Sequence, residues 1–207
     1  MTKVNTTANL KNKQLKGNKM FFDNYTEELN NTLANIDRAQ IEKLNKYIED
    51  ARINGKHVFV LGNGGSAAAA SHWVCDFGKG INIGDSKRLK MFAPSDHTSI
   101  FTAYGNDNAY DQTLVEQLKN LLESGDLVIS LSVSGNSSNL VEAHKYARNK
   151  DAITVSVVGD YNGKLIDLSD LAIVLKSKNY GVVEDIHMVL DHSISQEMKR
   201  HIQNIQG

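Results

Sequence analysis

Cysteine occurs once, at Cys75, so no disulfide can form within the chain and a reducing compartment suits it. No apolar run approaches the ~18 residues needed to cross a bilayer, and the amino terminus lacks the apolar stretch of a secretory signal. The expectation is a cytoplasmic protein with no membrane partner. Net charge is almost absent: 23 Lys and Arg against 24 Asp and Glu leave a formal −1. That excludes a general pull toward nucleic acid or an anionic surface, so the sign of any ligand must be read from local sites. Proline occurs once, at Pro94, where it punctuates the end of a strand. Acids are missing from residues 1–19, a stretch rich in Asn, Thr and Lys with little to bury. It reads as a disordered tail, with Met20 as an alternative start.

What is present is the composition of a globular protein. The 207 residues are 41% hydrophobic and 23% charged, which suits one domain over residues 20–207. Phe21, Phe22, Tyr25, Leu29, Leu33 and Ile36 recur at three- and four-residue spacing and predict a first helix. Asp37 can cap a second, with Ile41, Leu44, Ile48 and Ala51 on one face and Gly55 ending it. From there apolar runs at 58–61, 89–92, 127–131, 153–158 and 172–175 predict five strands. Helical patterns separate them, and a long helix over 183–202 closes the chain. Continuously apolar strands alternating with helices imply a parallel sheet covered on both faces, an α/β three-layer sandwich with two helices in front. In such doubly wound sheets ligands bind beyond the carboxyl ends of the strands.

Two loops occupy that position. Gly62-Asn63-Gly64-Gly65-Ser66 follows the first strand directly and opens a helix. Its glycines let the backbone approach a ligand, and the helix start offers unpaired N–H groups that suit a phosphate. The second loop, Ser132-Val133-Ser134-Gly135-Asn136-Ser137-Ser138-Asn139, follows the third strand. One serine would satisfy a helix cap; the extra hydroxyls beside a glycine predict an oxyanion site. Neither loop has the spacing of a nucleotide P-loop or a dinucleotide fingerprint. The expected ligand is a small phosphoester.

These motifs, together with His72 and Asp76 and with Glu184-Asp185-Ile186-His187 leading to His192, resemble the sugar isomerase (SIS) domain family. More narrowly the chain is similar to the phosphoheptose isomerases, from about Phe21 to His201. The resemblance implies a flavodoxin-like five-stranded parallel sheet and a homotetramer with active sites shared between neighbours. It also implies an aldose–ketose isomerisation of sedoheptulose 7-phosphate. It assigns Ser132, Ser134 and Ser137 to the sugar phosphate, with Asn63, Gly64, Ser66, Asp107 and Glu184 on or near the substrate. Val133 departs from the family, which often carries Thr there. The same family contains non-catalytic sugar-phosphate regulators and a replication-initiator-binding tetramer.

Isomerisation through an enediol needs a base for the carbon-bound proton and an acid for the oxygen. His72 and Asp76, four apart, share a helix face. By spacing alone they are an ordinary helix pair; the resemblance makes Asp76 and His192 the proton-transfer residues. Asp76 stands where the family carries Glu, one methylene longer. The resemblance also implies a divalent metal, zinc in the members that contain one, held by His72, Asp76, Glu184 and His192. Glu184 takes the place of a family glutamine. It lies eight residues before His192, a rise of ~12 Å, so it reaches a shared ion only from a frayed helix start. Two carboxylates would make the site harder than usual and open it to other divalent ions. Cys75, Trp73 and Phe77 read as packing residues.

Overall fold

The computed structural model describes residues 20–206; the expectation for residues 1–19 lies outside them. Two helices lead, α1 (Phe21–Ala34) and α2 (Arg38–Asn54). Asp37 caps α2 by accepting the Ala39 N–H at 3.0 Å, and Gly55 ends it at φ +67°, a left-handed conformation that glycine adopts without strain. Leu44 and Ile48 on its inner face are fully buried, each contributing about 1.5–3 kcal/mol.

The strands β1 (His57–Leu61), β2 (Lys90–Phe92), β3 (Leu127–Ser132), β4 (Ile153–Gly159) and β5 (Leu171–Leu175) form one parallel sheet in the order β2-β1-β3-β4-β5. Between them run α3 (Gly65–Cys75), α4 (Thr98–Asp107), α5 (Gln112–Leu121) and α6 (Ser138–Asn149), and α7 (Tyr180–Gln206) closes the described chain. Side-chain alternation splits the core in two. Val58, Val60, Ile129 and Leu131 face the layer built by α1, α2, α3 and α7, including Trp73, Phe77, Ile186 and Leu190. Phe59, Leu61 and Val128 face α5 and α6 through Leu114, Leu118, Leu140 and Ala143. The expected three-layer α/β sandwich is therefore present.

Two long-range contacts seat α1. Its Tyr25 hydroxyl donates to Asp185 at 2.6 Å, and its Glu28 accepts from Ser177 Oγ at 2.6 Å. Burial and the Asp185 hydrogen bond push the Tyr25 phenol up to about 12, so it stays a donor. Cys75 corrects an expectation: it is exposed, because α3 turns its Trp73 and Ala70 face inward. The helix also widens where the sequence reads as regular α. A π-helical turn, Asp76–Gly80, begins at Asp76, and such turns are frequent at functional sites. Among the described residues no helix is long and apolar enough to cross a membrane.

Candidate active site

The strand order reverses between β1 and β3, which pair directly through Leu61 and Ser130. Both motif loops leave the sheet at this switch point, where doubly wound sheets place their ligands. Asn63, Ser66, Ser132, Val133, Ser134, Ser137, Tyr180 and Glu184 line a cavity of about 120 Å³ there. Roomier hollows lie elsewhere, such as one of about 270 Å³ where Glu42, Glu49 and Glu197 mix with Asn45, Lys46 and His201, away from both motif loops.

In the serine loop the hydroxyls are oriented by the backbone. Ser132 Oγ accepts the Gly135 N–H at 3.1 Å, and Ser134 Oγ accepts the Asn136 N–H at 3.2 Å. Each oxygen has a lone pair engaged, which leaves its proton for an acceptor. Ser137 precedes α6 without a side-chain cap bond, so its hydroxyl is not spent on capping. Gly135 sits at φ +63°, and Gly163 packs against it so closely that a Cβ there would overlap the Ser134 carbonyl. These donors stand at the positive end of α6, an arrangement suited to a phosphate.

The glycine loop is arranged differently. Gly64 turns at φ +55° and is absent from the cavity lining. The Glu184 carboxylate lies against Gly65 so tightly that a Cβ would collide with it, and Ser66 Oγ donates to Glu184 Oε1 at 3.4 Å. An internal anion thus holds the start of α3, and the Ser66 proton is already committed. Asn63 faces the cavity while its amide pairs with Asn139 by two hydrogen bonds of 2.9 Å.

Farther along α3 and α7 a second group converges. Ligand atoms of His72, Asp76, Asp191 and His192 all lie within 4.8 Å of one another. The two histidine Nε2 atoms are 3.2 Å apart; His72 Nε2 is 3.7 Å from Asp76 Oδ1 and 3.9 Å from Asp191 Oδ2; His192 Nε2 is 3.9 Å from Asp76 Oδ2. The histidines form a half-exposed rim at 47% and 48%, Asp76 is 30% exposed, and Asp191 is a floor at 0%. Asp191 is buried with neither oxygen hydrogen-bonded. Burial, and secondarily Asp76, push its carboxyl up to about 7.

Three expected placements change. Glu184 is not in this group; Asp191, one residue before His192, stands there instead. The helix rise that separates Glu184 from His192 is the reason. Asp107 ends α4 in another hollow, with Ile100, Tyr104 and Asn120, none of which line the serine-loop cavity. At the glycine loop the Glu184 carboxylate lies against Gly65 and Ser66, where the sequence suggested a phosphate. Sequence reasoning also passed over Asn139 and Asp191 as functional groups. The signal for Asp191 was a carboxylate directly following the apolar run Met188-Val189-Leu190 on a core-facing helix.

The SIS domain family model matches residues 21–159. The chain is 35% identical over 156 residues to a phosphoheptose isomerase of Aliarcobacter butzleri, covering 75% of this chain and 82% of the relative. It is 30% identical over 180 residues to the Helicobacter pylori phosphoheptose isomerase, covering 87% and 93%. A solved phosphoheptose isomerase structure from Francisella tularensis superposes with a TM-score of 0.78 at 21% identity, covering 95% of this chain and all of that one, a likeness of fold. On its sheet order, its two switch-point loops and these relatives, the chain belongs to the SIS domain family and, within it, to the phosphoheptose isomerases.

Proposed function

We propose that the protein interconverts sedoheptulose 7-phosphate and D-glycero-D-manno-heptose 7-phosphate by moving a proton between C1 and C2 through an enediol. One observation carries this reading: the phosphate-suited cavity and the His/Asp group are held at a set separation by two helices running the same way. Ser66 and Glu184 meet at one end, His72 and His192 at the other. From Ser66 to His72 along α3 the rise is roughly 9 Å, and from Glu184 to His192 along α7 roughly 12 Å. A phosphate on Ser132, Ser134 and Ser137 would place the far end of an extended seven-carbon sugar at the histidines. A triose phosphate is too short for that.

In this reading Asp76 takes the carbon-bound proton and His192 serves the adjacent oxygen, since both border the same space and neither is buried. Asn63 and Glu184 hold sugar hydroxyls between them and the phosphate. A divalent metal, zinc first, fits between His72, Asp76, Asp191 and His192. Ligands ~2.1 Å from a tetrahedral ion stand ~3.4 Å apart, near the separations found, and the unpartnered Asp191 oxygens would gain a cation. When bound, such an ion polarises the substrate carbonyl and stabilises the charge that develops on it. Two carboxylates neutralise a divalent charge and make the donor set harder than a histidine-rich one. Asp191→Asn should weaken zinc at least about tenfold in a chelator-competition titration, and Glu184→Gln should leave it unchanged. The reverse pattern would return Glu184 to the metal.

Self-association to a homotetramer belongs to the same proposal. Phe21 and Phe22 stand 80% and 67% exposed at the start of α1, and Asp107 lies outside the cavity of its own chain. A neighbouring copy would cover the first and carry the second to a shared site; light scattering measures the mass directly. The deciding experiment for function is turnover of sedoheptulose 7-phosphate with and without chelator. Binding without turnover in metal-replete protein would favour a sugar-phosphate regulator, the reading that the shortened acid at Asp76 supports.

A further inference from the structure

Asn139 is fully buried at 0% exposure, and it lies one residue past the start of α6, behind the glycine loop rather than in the cavity. Its amide has four hydrogen-bonding places, and all four are filled. Oδ1 accepts from the Leu140 N–H at 3.0 Å and from Asn63 Nδ2 at 2.9 Å. Nδ2 donates to Asn63 Oδ1 at 2.9 Å and to Thr113 Oγ1 at 3.2 Å. Nothing remains with which Asn139 could touch a ligand.

The direction of these bonds is set from the backbone. The Thr113 hydroxyl donates to the Tyr110 carbonyl at 2.8 Å, so toward Asn139 it is an acceptor. The Leu140 N–H can only donate. Together they dictate which end of the Asn139 amide is oxygen. Asn139 then dictates the same for Asn63, because the reciprocal pair fails if either amide turns over. Asn63, which lines the cavity, is left with one N–H and one oxygen lone pair on opposite flanks of its amide.

We propose that Asn139 and Thr113 are positioning residues that lock the Asn63 amide in one orientation, so that Asn63 presents a donor on one fixed flank and an acceptor on the other. That pair suits two hydroxyls of a sugar chain, one accepting from the N–H and one donating to the oxygen. It does not match a phosphate oxygen, which accepts only. The relay also ties the two loops together across the β1–β3 switch point, since Asn63 belongs to one and Asn139 to the end of the other. The role given to Asn63 rests on the sugar-phosphate reading of the cavity; the locking itself does not.

The test uses Thr113→Val, which keeps the side chain's shape and removes its oxygen, with Thr113→Ser as the conservative control. Side-chain amide NMR reads the lock without any substrate. Thr113→Val should shift the Asn63 and Asn139 amide signals and speed their hydrogen exchange, and Thr113→Ser should restore both. In turnover of sedoheptulose 7-phosphate, Thr113→Val should lower kcat/KM about threefold to tenfold, the effect of one hydrogen bond. Asn139→Ala should lower it further in the wild-type background and not at all in an Asn63→Ala background. Asn63 amide signals unmoved by Thr113→Val, or Asn139→Ala losses that multiply with those of Asn63→Ala, would overturn the proposal. If wild-type protein does not turn the sugar over, the functional reading falls, and the NMR measurements still decide the lock.

Discussion

The two strand-to-helix loops begin alike, each after a buried strand and each opening a helix at the same end of the sheet, yet they present opposite electrostatics. In the serine loop, backbone N–H groups engage a lone pair on each of two hydroxyls, whose protons these bonds do not use. In the glycine loop, Glu184 lies on Gly65 and takes the Ser66 proton. An anion from solvent meets donors at the first and a carboxylate at the second. A glycine-rich turn before a helix is therefore only a place where an anion can sit; the neighbouring element decides whether the protein has already supplied one. The glycine loop contributes instead through Asn63 and through α3, which carries His72 and Asp76 away from it.

Acid is the bluntest way to break this arrangement, because two histidines are fully buried between the helices and the sheet. His144 on α6 contacts Ser130 Oγ of β3 at 2.8 Å, and His187 on α7 contacts the Val157 carbonyl of β4 at 3.1 Å. Burial lowers both from 6.5 to about 4. The unfolded chain takes up these protons near pH 6.5 and the folded chain only near pH 4. Their stabilisation is thus complete above pH 6.5 and lost as pH falls toward 4. Asp191, raised to about 7, acts in the opposite sense, losing stability as pH rises through 7, but one carboxylate is outweighed by two histidines below pH 6.5. Thermal midpoints should fall steeply between pH 6.5 and 4, and His144→Gln should flatten the slope; an unchanged slope would remove His144 from the account.

Next in size is the chemistry delivered along α3 and α7. Asp76→Asn and His192→Gln should each lower kcat about 10²- to 10⁴-fold while inhibition by inorganic phosphate stays as it was. Near-normal turnover in both variants would sink their assignment as the proton-transfer pair. Phosphate affinity separates the loops themselves. Ser134→Ala should weaken inorganic phosphate about tenfold or more, the cost of one hydrogen bond to a charged group, and Ser66→Ala should change it little. Equal losses would mean that both loops hold phosphate. The smallest effect sharpens the contrast in packing. Gly163→Ala meets the backbone of Ser134 and Gly135 and should destabilise the protein by about 1–3 kcal/mol in denaturant titration. Gly65→Ala meets only the far end of the Glu184 side chain, which can swing aside, so its stability should be close to wild type.

Much of the fold was legible along the chain because its signals are local. The Asp37 cap, the Gly55 stop and the alternation of apolar runs with helical spacing each act within a few residues. The departures were of two kinds. The helix opened by the glycine loop passes into a π turn at Asp76, beside Trp73 and Phe77, which are buried in the core with residues of α7. Where a residue's partner lies far along the chain, spacing carried no information. Asn63 and Asn139 are 76 residues apart, and Ser66 and Glu184 are 118 apart.

The sequence by itself determined the alternating α/β architecture, the two loops at one edge of the sheet, and the candidacy of His72, Asp76 and His192. The first two follow from periodicity and turn chemistry, the third from the family that the motifs resemble. Only the tertiary structure decided that Glu184 rests on the glycine loop, that Asp191 floors the histidine pair and that Asp107 lies apart from the cavity. Each depends on how deep α7 sits against α3 and on which strands are neighbours, and helix packing and strand order are settled by the whole core at once.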